Sequence, residues 1–149
     1  MKRLAVFFFF AALCFAKPNF SGQWKMDGSK TDFGPVPAPE KMIRTIQHDD
    51  PSINIKTEQA GPQGEIKTDV SYTTDGKEFN IKTQYGETKG TANWDGDTLV
   101  VKTKRQIQGM AIESTDRWTL GGDGKTMKIS SNLKTPQGDF EITISFDKQ

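Results

Sequence analysis

The sequence predicts an all-β fold, an antiparallel up-and-down meander of about eight to ten strands closed into a barrel. Three observations carry that expectation. From Asn19 onward apolar and polar residues alternate with a period of two, as half-buried strands require. Asp75-Gly76, Asp95-Gly96 and Asp123-Gly124 fall between alternating runs and suit tight hairpin turns. No stretch after Asn19 keeps an apolar stripe at helical spacing long enough to build a helix.

Taken in chain order, Met1-Lys2-Arg3 is a short basic segment and Leu4 to Phe15 a nearly unbroken apolar run, followed by the small residue Ala16. That three-part layout is a secretory signal peptide cut after Ala16. The run is about a dozen residues, short of the ~20 that span a membrane. Residues 1–16 are therefore read as leader and 17–149 as the barrel domain, secreted or periplasmic. Cys14 offers a second reading as a lipid-bearing cysteine, but Leu13 before it is not the small residue such a site favours. Without the leader the chain has no cysteine, so the core alone must hold the domain. Removing Lys2 and Arg3 from the 20 basic side chains leaves 18 against 19 acidic ones. Such a balance attracts neither nucleic acid nor an anionic membrane over a broad surface. No stable membrane insertion after cleavage is expected, and the barrel is read as a monomer.

The first strand alternates Phe20, Gly22, Trp24 and Met26. Asp27 to Glu40 then breaks the pattern, with Pro35, Pro37 and Pro39 favouring an extended strap or a lid over one barrel mouth. Strands near Met42–Gln47 and Ile53–Thr57 flank Asp49-Asp50-Pro51. Gly61-Pro62-Gln63-Gly64 turns the chain into the run Ile66, Thr68, Val70, Tyr72, and Phe79, Ile81, Tyr85 follow Asp75-Gly76. Weaker reversals at Gly86 and Gly109 separate the middle strands. Met127 to Leu133 and Phe140 to Phe146 flank Pro136-Gln137-Gly138 and complete the meander. Closure into a barrel removes the edges that a flat sheet would expose.

Little in the chain points to catalysis, and no enzyme activity is expected. His48 lies at a strand end and reads as an ordinary turn histidine, with no serine in a nucleophile-elbow context to serve it. One histidine and no cysteine after the leader cannot build the usual zinc sites. Asn93, Asp95 and Asp97 imitate the start of a calcium loop without its closing glutamate. Gly124-Lys125-Thr126 resembles the end of a phosphate loop but lacks the upstream glycine and leads into a strand. No cofactor and no metal are expected.

Binding is the stronger expectation. Followed inward, the alternation lines the barrel with apolar residues, and with Thr68, Tyr72, Thr83, Tyr85, Thr103, Arg105, Ser114 and Ser131 among them. A solid core has little use for so many hydroxyls, whereas sparse polar groups on an apolar wall suit a small apolar or amphipathic ligand. Tyr72, Phe79, Tyr85, Thr103 and Arg105 are the candidate ligand contacts. Arg105 either points in, toward an anionic head or an internal Asp116 or Glu113, or stays at the rim. A filled barrel acting as a structural or protein–protein interaction module is the alternative.

Asn19-Phe20-Ser21-Gly22-Gln23-Trp24 resembles the first strand of the calycin superfamily, where lipocalins carry Gly-x-Trp and fatty-acid-binding proteins a similar Phe-x-Gly-x-Trp. Small secreted bacterial lipocalin-like proteins look like the nearest relatives. The resemblance implies that Gly22 and Trp24 close one end of the barrel and that Arg117 packs over the Trp24 ring. It implies no ligand, and the Arg-x-Tyr of the fatty-acid-binding proteins' last strand is absent from Ile142–Phe146.

Overall fold

Alternation of apolar and polar residues, punctuated by turn dipeptides, produces ten antiparallel strands in a computed structural model that describes residues 16–149. Residues 1–15, which take in Cys14 and all but the last residue of the expected leader 1–16, lie outside the described residues. The strands are β1 (Gly22–Met26), β2 (Lys41–Asp49), β3 (Ser52–Gly61), β4 (Gly64–Thr73) and β5 (Phe79–Thr83). They continue as β6 (Gly86–Asp95), β7 (Thr98–Ile107), β8 (Met110–Leu120), β9 (Thr126–Thr135) and β10 (Gly138–Lys148). Each strand pairs with its successor except at one place, and β1 also pairs with β10. The ring therefore reads β4-β3-β2-β1-β10-β9-β8-β7-β6-β5, a meander closed everywhere but between β4 and β5. At that seam no ladder forms, and Tyr72 of β4 stacks on Phe79 of β5 with ring centroids 4.6 Å apart.

The turns sit where the sequence puts them. Pro62-Gln63 links the paired ends Gly61 and Gly64, and Pro136-Gln137 links Thr135 and Gly138. Gly96 and Asp97 join Asp95 to Thr98, with Gly96 at φ 60°, where a side chain is disfavoured. Inward positions of β9 and β10 repeat as Met127, Ile129, Leu133 and Ile142, Ile144, Phe146, all buried.

The proline segment is a strap. Asp27 N–H donates to Ser145 O at 2.8 Å, and Asp32 and Thr143 exchange a pair of backbone bonds at 2.7 and 2.8 Å. The short β1 leaves the edge of β10 unpaired there, and the strap supplies the missing partners. It then crosses to β3, where Glu40 N–H donates to Ala60 O, and Phe33 and Val36 pack against the buried core.

One end of the barrel is plugged by aromatics. Phe20 and Trp24 are fully buried, and the Trp24 indole N–H donates to Phe20 O at 2.8 Å. The Phe20 ring stacks with His48 and Trp94 and meets Trp118 edge-on. Arg117 is not part of this plug. Trp118 alternates inward, so its neighbour Arg117 must point outward, where it is over half exposed and bonds Asp95 at 3.3 Å. The cation over Trp24 is Lys148, 5.4 Å from the ring centroid. Gly22 makes room for it: a Cβ there would lie 2.7 Å from Lys148 Cε, and φ of 139° disfavours any side chain.

Candidate functional site

His48 belongs to the plug and is a buried core residue, not an exposed turn histidine. On β2 it shares the inward face with Met42, Arg44 and Ile46. Its Nδ1 accepts the Phe20 backbone N–H at 3.2 Å, which places the ring proton on Nε2, 3.4 Å from Asp50 Oδ1. Asp50 Oδ1 also accepts from Thr74 Oγ1 at 2.6 Å and from Trp94 Nε1 at 2.9 Å. Both histidine nitrogens are thus occupied, so no ring nitrogen remains to activate a nucleophile. These bonds, the one from Thr74 foremost, hold the Asp50 carboxyl below the usual aspartate range. The stability they contribute is present above the ordinary aspartate value and is lost as pH falls through the lower, folded one. Asp50→Ala is therefore expected to lower the melting temperature by a few degrees at pH 7 and hardly at all at pH 2. Thermal melts at the two pH values check this.

Above the plug the interior opens. A cavity of about 340 Å³ is lined by Thr57, Ile66, Thr68, Val70, Ile81 and Thr88, among others, from β3 to β6. Its mouth is framed by Thr83, Tyr85 and Arg105, on the side where β4 and β5 are not laddered. The hydroxyls are spaced along an otherwise aliphatic wall, as the alternation predicts. None of the strap's residues lines it.

Between plug and cavity lies a set of polar groups that the barrel itself leaves incomplete. Arg44 of β2, Tyr72 of β4 and Asp116 of β8 are each largely withdrawn from solvent and sense one another's charge across the barrel. The Arg44 guanidinium lies 5.5 Å from the Trp118 ring centroid and 5.3 Å from that of Phe146. Asp116 faces Ser131 across the β8–β9 ladder with Ser114 on its own strand, and Ser114 shares a 2.9 Å hydroxyl contact with Thr103. Among the described residues, three buried side-chain polar atoms have no partner: Arg44 Nε, Asp116 Oδ1 and Trp118 Nε1. All three belong to this one region. Each such atom costs about 1–3 kcal/mol.

The charges tell the same story. Desolvation pushes the Arg44 pKa down despite Asp116 nearby, and desolvation pushes the Asp116 carboxyl up despite Ser131, Arg44, Ser114 and Arg105. Both partners are shifted toward neutrality, so their attraction does not offset the cost of burial. No carboxylate among the described residues lies within 4.0 Å of the Arg44 nitrogens. Burial also keeps the Tyr72 phenol firmly protonated, available as a donor.

Of the residues singled out from sequence, Tyr85 and Arg105 line the cavity mouth, and Tyr85 is half exposed. Arg105 takes the rim position. Tyr72 and Phe79 form the stacked pair at the seam, and Thr103 faces inward with its hydroxyl already engaged by Ser114. Arg44 was not among them. Its signal is the alternation Met42-x-Arg44-x-Ile46-x-His48, which puts a cation on the apolar face. Among the described residues no three His, Cys, Asp or Glu side chains gather to hold a metal ion.

No family model matches the chain, and no curated protein matches it in sequence. Solved structures do match. The fluorescent protein UnaG is similar over 87% of this chain and 97% of its own, with a TM-score of 0.63 and 18% identity. The fold is a nearly closed antiparallel meander barrel like that of lipocalins and fatty-acid-binding proteins. Secretory abundant heat soluble protein 4 from Ramazzottius varieornatus matches 90% of this chain and 96% of its own, at a TM-score of 0.60 and 16% identity. Zebrafish ileal bile acid-binding protein complexed with cholic acid matches 87% and 98%, at 0.59 and 15%. Identities this low speak to the fold.

Proposed function

We propose that this protein is an exported carrier or sensor that holds one small amphipathic molecule inside its barrel, its polar end toward Arg105 at the mouth and its apolar body along the cavity wall. The observation that carries the reading is the cavity of about 340 Å³ itself, an aliphatic wall of Ile66, Val70 and Ile81 dotted with the hydroxyls of Thr57, Thr68 and Thr88. A barrel selected for stability alone would fill that region with aliphatic side chains. The bile acid-binding neighbour, solved with cholic acid, supports the idea that this architecture accommodates such molecules. The leader at residues 1–16 supports export. A filled barrel serving only as an interaction module is the weaker reading, because a cavity of about 340 Å³ lies within the range of small-molecule sites.

A titration with an uncharged environment-sensitive fluorophore tests the proposal. Saturable one-to-one binding is expected. Thr57 and Thr68 face each other across β3 and β4 in the cavity wall. Thr57→Phe with Thr68→Phe is expected to fill the cavity and weaken binding at least tenfold while the far-ultraviolet spectrum stays β. Equal binding by the filled variant, or none by either protein, overturns the reading.

A further inference from the structure

We infer that the outer wall of the barrel carries a second binding site, a cationic groove across β6 to β9 that takes a dianionic phosphate group. The groove shares no lining residue with the interior cavity, so this assignment is independent of what the barrel holds.

Outward-facing lysines are placed differently on the two sides of the barrel. On the β3–β4 wall each faces a carboxylate: Lys56 opposes Asp69 and Lys67 opposes Glu58, both at 3.7 Å. On the β6–β7 wall Lys89 stands directly opposite Lys104, and Lys102, two residues along β7, shares their face. Facing Cβ atoms in a ladder lie about 5 Å apart, and like charges so placed repel. Of these three lysines, only Lys104 has a carboxylate within 4.0 Å among the described residues, Glu113 at 3.0 Å. Beyond Glu113 in the same row comes Lys134 of β9, two strand spacings or about 10 Å from Lys104. A wall kept for stability alone would oppose unlike charges here, as β3–β4 does.

The four lysines line a depression of about 410 Å³ that Glu78 and Glu113 also line. Four cations against two anions leave an excess of two positive charges, in a chain whose charges otherwise nearly cancel. The depression has a cause in the backbone. Gly90 of β6 pairs with Phe79 of β5 and Thr103 of β7. A Cβ on Gly90 would lie 2.7 Å from the Phe79 ring and collide with Lys102 O. Without one, β6 settles inward against Phe79, and the outer face above it is hollowed between the lysine stems.

The chemistry of the groove selects the ligand. An ammonium group offers three donors and no acceptor, so the lysines call for oxygens that carry negative charge. A phosphate monoester brings nearly two charges at neutral pH and three acceptor oxygens, enough to meet Lys89, Lys102 and Lys104 together. A single carboxylate would leave the excess half balanced, and Lys104 has Glu113 already. The hydroxyls of Thr91 and Thr115 border the same depression and supply further donors. Phosphate monoesters occur on soluble molecules and as lipid head groups, and the test separates these sources.

Inorganic phosphate is titrated at pH 7.5 into the purified protein, against chloride at equal ionic strength, and followed by amide NMR. Saturable shifts are expected for Lys89 to Thr91 and Lys102 to Lys104, with half-saturation in the millimolar range or below. Lys89→Gln with Lys102→Gln is expected to weaken binding at least tenfold. Lys56→Gln with Lys67→Gln removes the same charge from the β3–β4 wall and is expected to change it less than twofold. All four side chains are exposed, so both variants keep the fold. A second arm measures co-sedimentation with phosphatidylcholine vesicles that contain phosphatidic acid. Retention lost only in the Lys89 and Lys102 variant supports the site and assigns a lipid head group; phosphate binding without retention supports it and assigns a soluble ligand. Absence of binding in both arms, or equal loss in the two variants, overturns the inference.

Discussion

Trp24→Ala is expected to cost about 3–5 kcal/mol of folding free energy. That is a large share of the roughly 5–15 kcal/mol that holds a domain of this size together. The Trp24 side chain is fully buried, donates its indole N–H to Phe20 O at 2.8 Å, and carries Lys148 across its ring. Truncation would leave the Phe20 carbonyl without its partner and open a void beneath Phe20, itself in contact with His48, Trp94 and Trp118. With one cysteine in its sequence, the chain cannot form an internal disulfide to compensate. Trp24→Phe keeps most of the apolar volume and loses the hydrogen bond, so about 1–3 kcal/mol is expected. Urea denaturation followed by the remaining tryptophans measures both, and a loss below 1 kcal/mol for the alanine variant would refute the assignment of Trp24 as the keystone of the plug.

The second large effect has the opposite sign. Arg44→Met combined with Asp116→Leu is expected to raise stability by about 1–4 kcal/mol at pH 7, because the two charges are buried without adequate mutual compensation. The pH dependence follows from the raised Asp116 pKa. Below the ordinary aspartate value, near 4, the carboxyl is protonated in both states and costs nothing. As pH rises, the unfolded chain ionises first, and stability is lost as pH climbs through the higher folded value. The carboxylate's share of the gain should therefore be larger at pH 7 than at pH 3, opposite in sign to the effect at Asp50. Denaturant midpoints at the two pH values decide it.

The architecture was legible because each strand states its face. Phe140, Ile142, Ile144 and Phe146 alternate so regularly that only one register buries them, and Pro-Gln between glycine-flanked ends fixes where the chain reverses. The same parity groups Thr68, Thr83 and Arg105 on one face, and all three line the cavity. It would also have corrected Arg117: with Trp118 inward, its neighbour cannot be, and the expectation drawn from the lipocalin resemblance ran against the local pattern. His48 and Arg44 were readable from the β2 alternation. What parity cannot supply is position around the barrel. Arg44 on β2 and Asp116 on β8 are not neighbours in any ladder, and they sense each other only because the sheet curls until opposite walls face across the interior. The open seam between β4 and β5 was invisible for a related reason, since Asp75-Gly76 looks like any hairpin turn while the loop around it leaves the two strands unpaired.

The central claim is that the barrel holds an amphipathic molecule in the cavity lined by Thr57, Thr68 and Arg105. Native mass spectrometry of the protein purified from its own host, beside the cavity-filling variant Thr57→Phe with Thr68→Phe purified the same way, tests it most directly. The account predicts one additional small-molecule mass on the wild-type barrel, extractable into organic solvent and reduced at least tenfold in occupancy in the variant. Bare-chain masses for both proteins across repeated preparations, or the same adduct at equal occupancy on both, would contradict it.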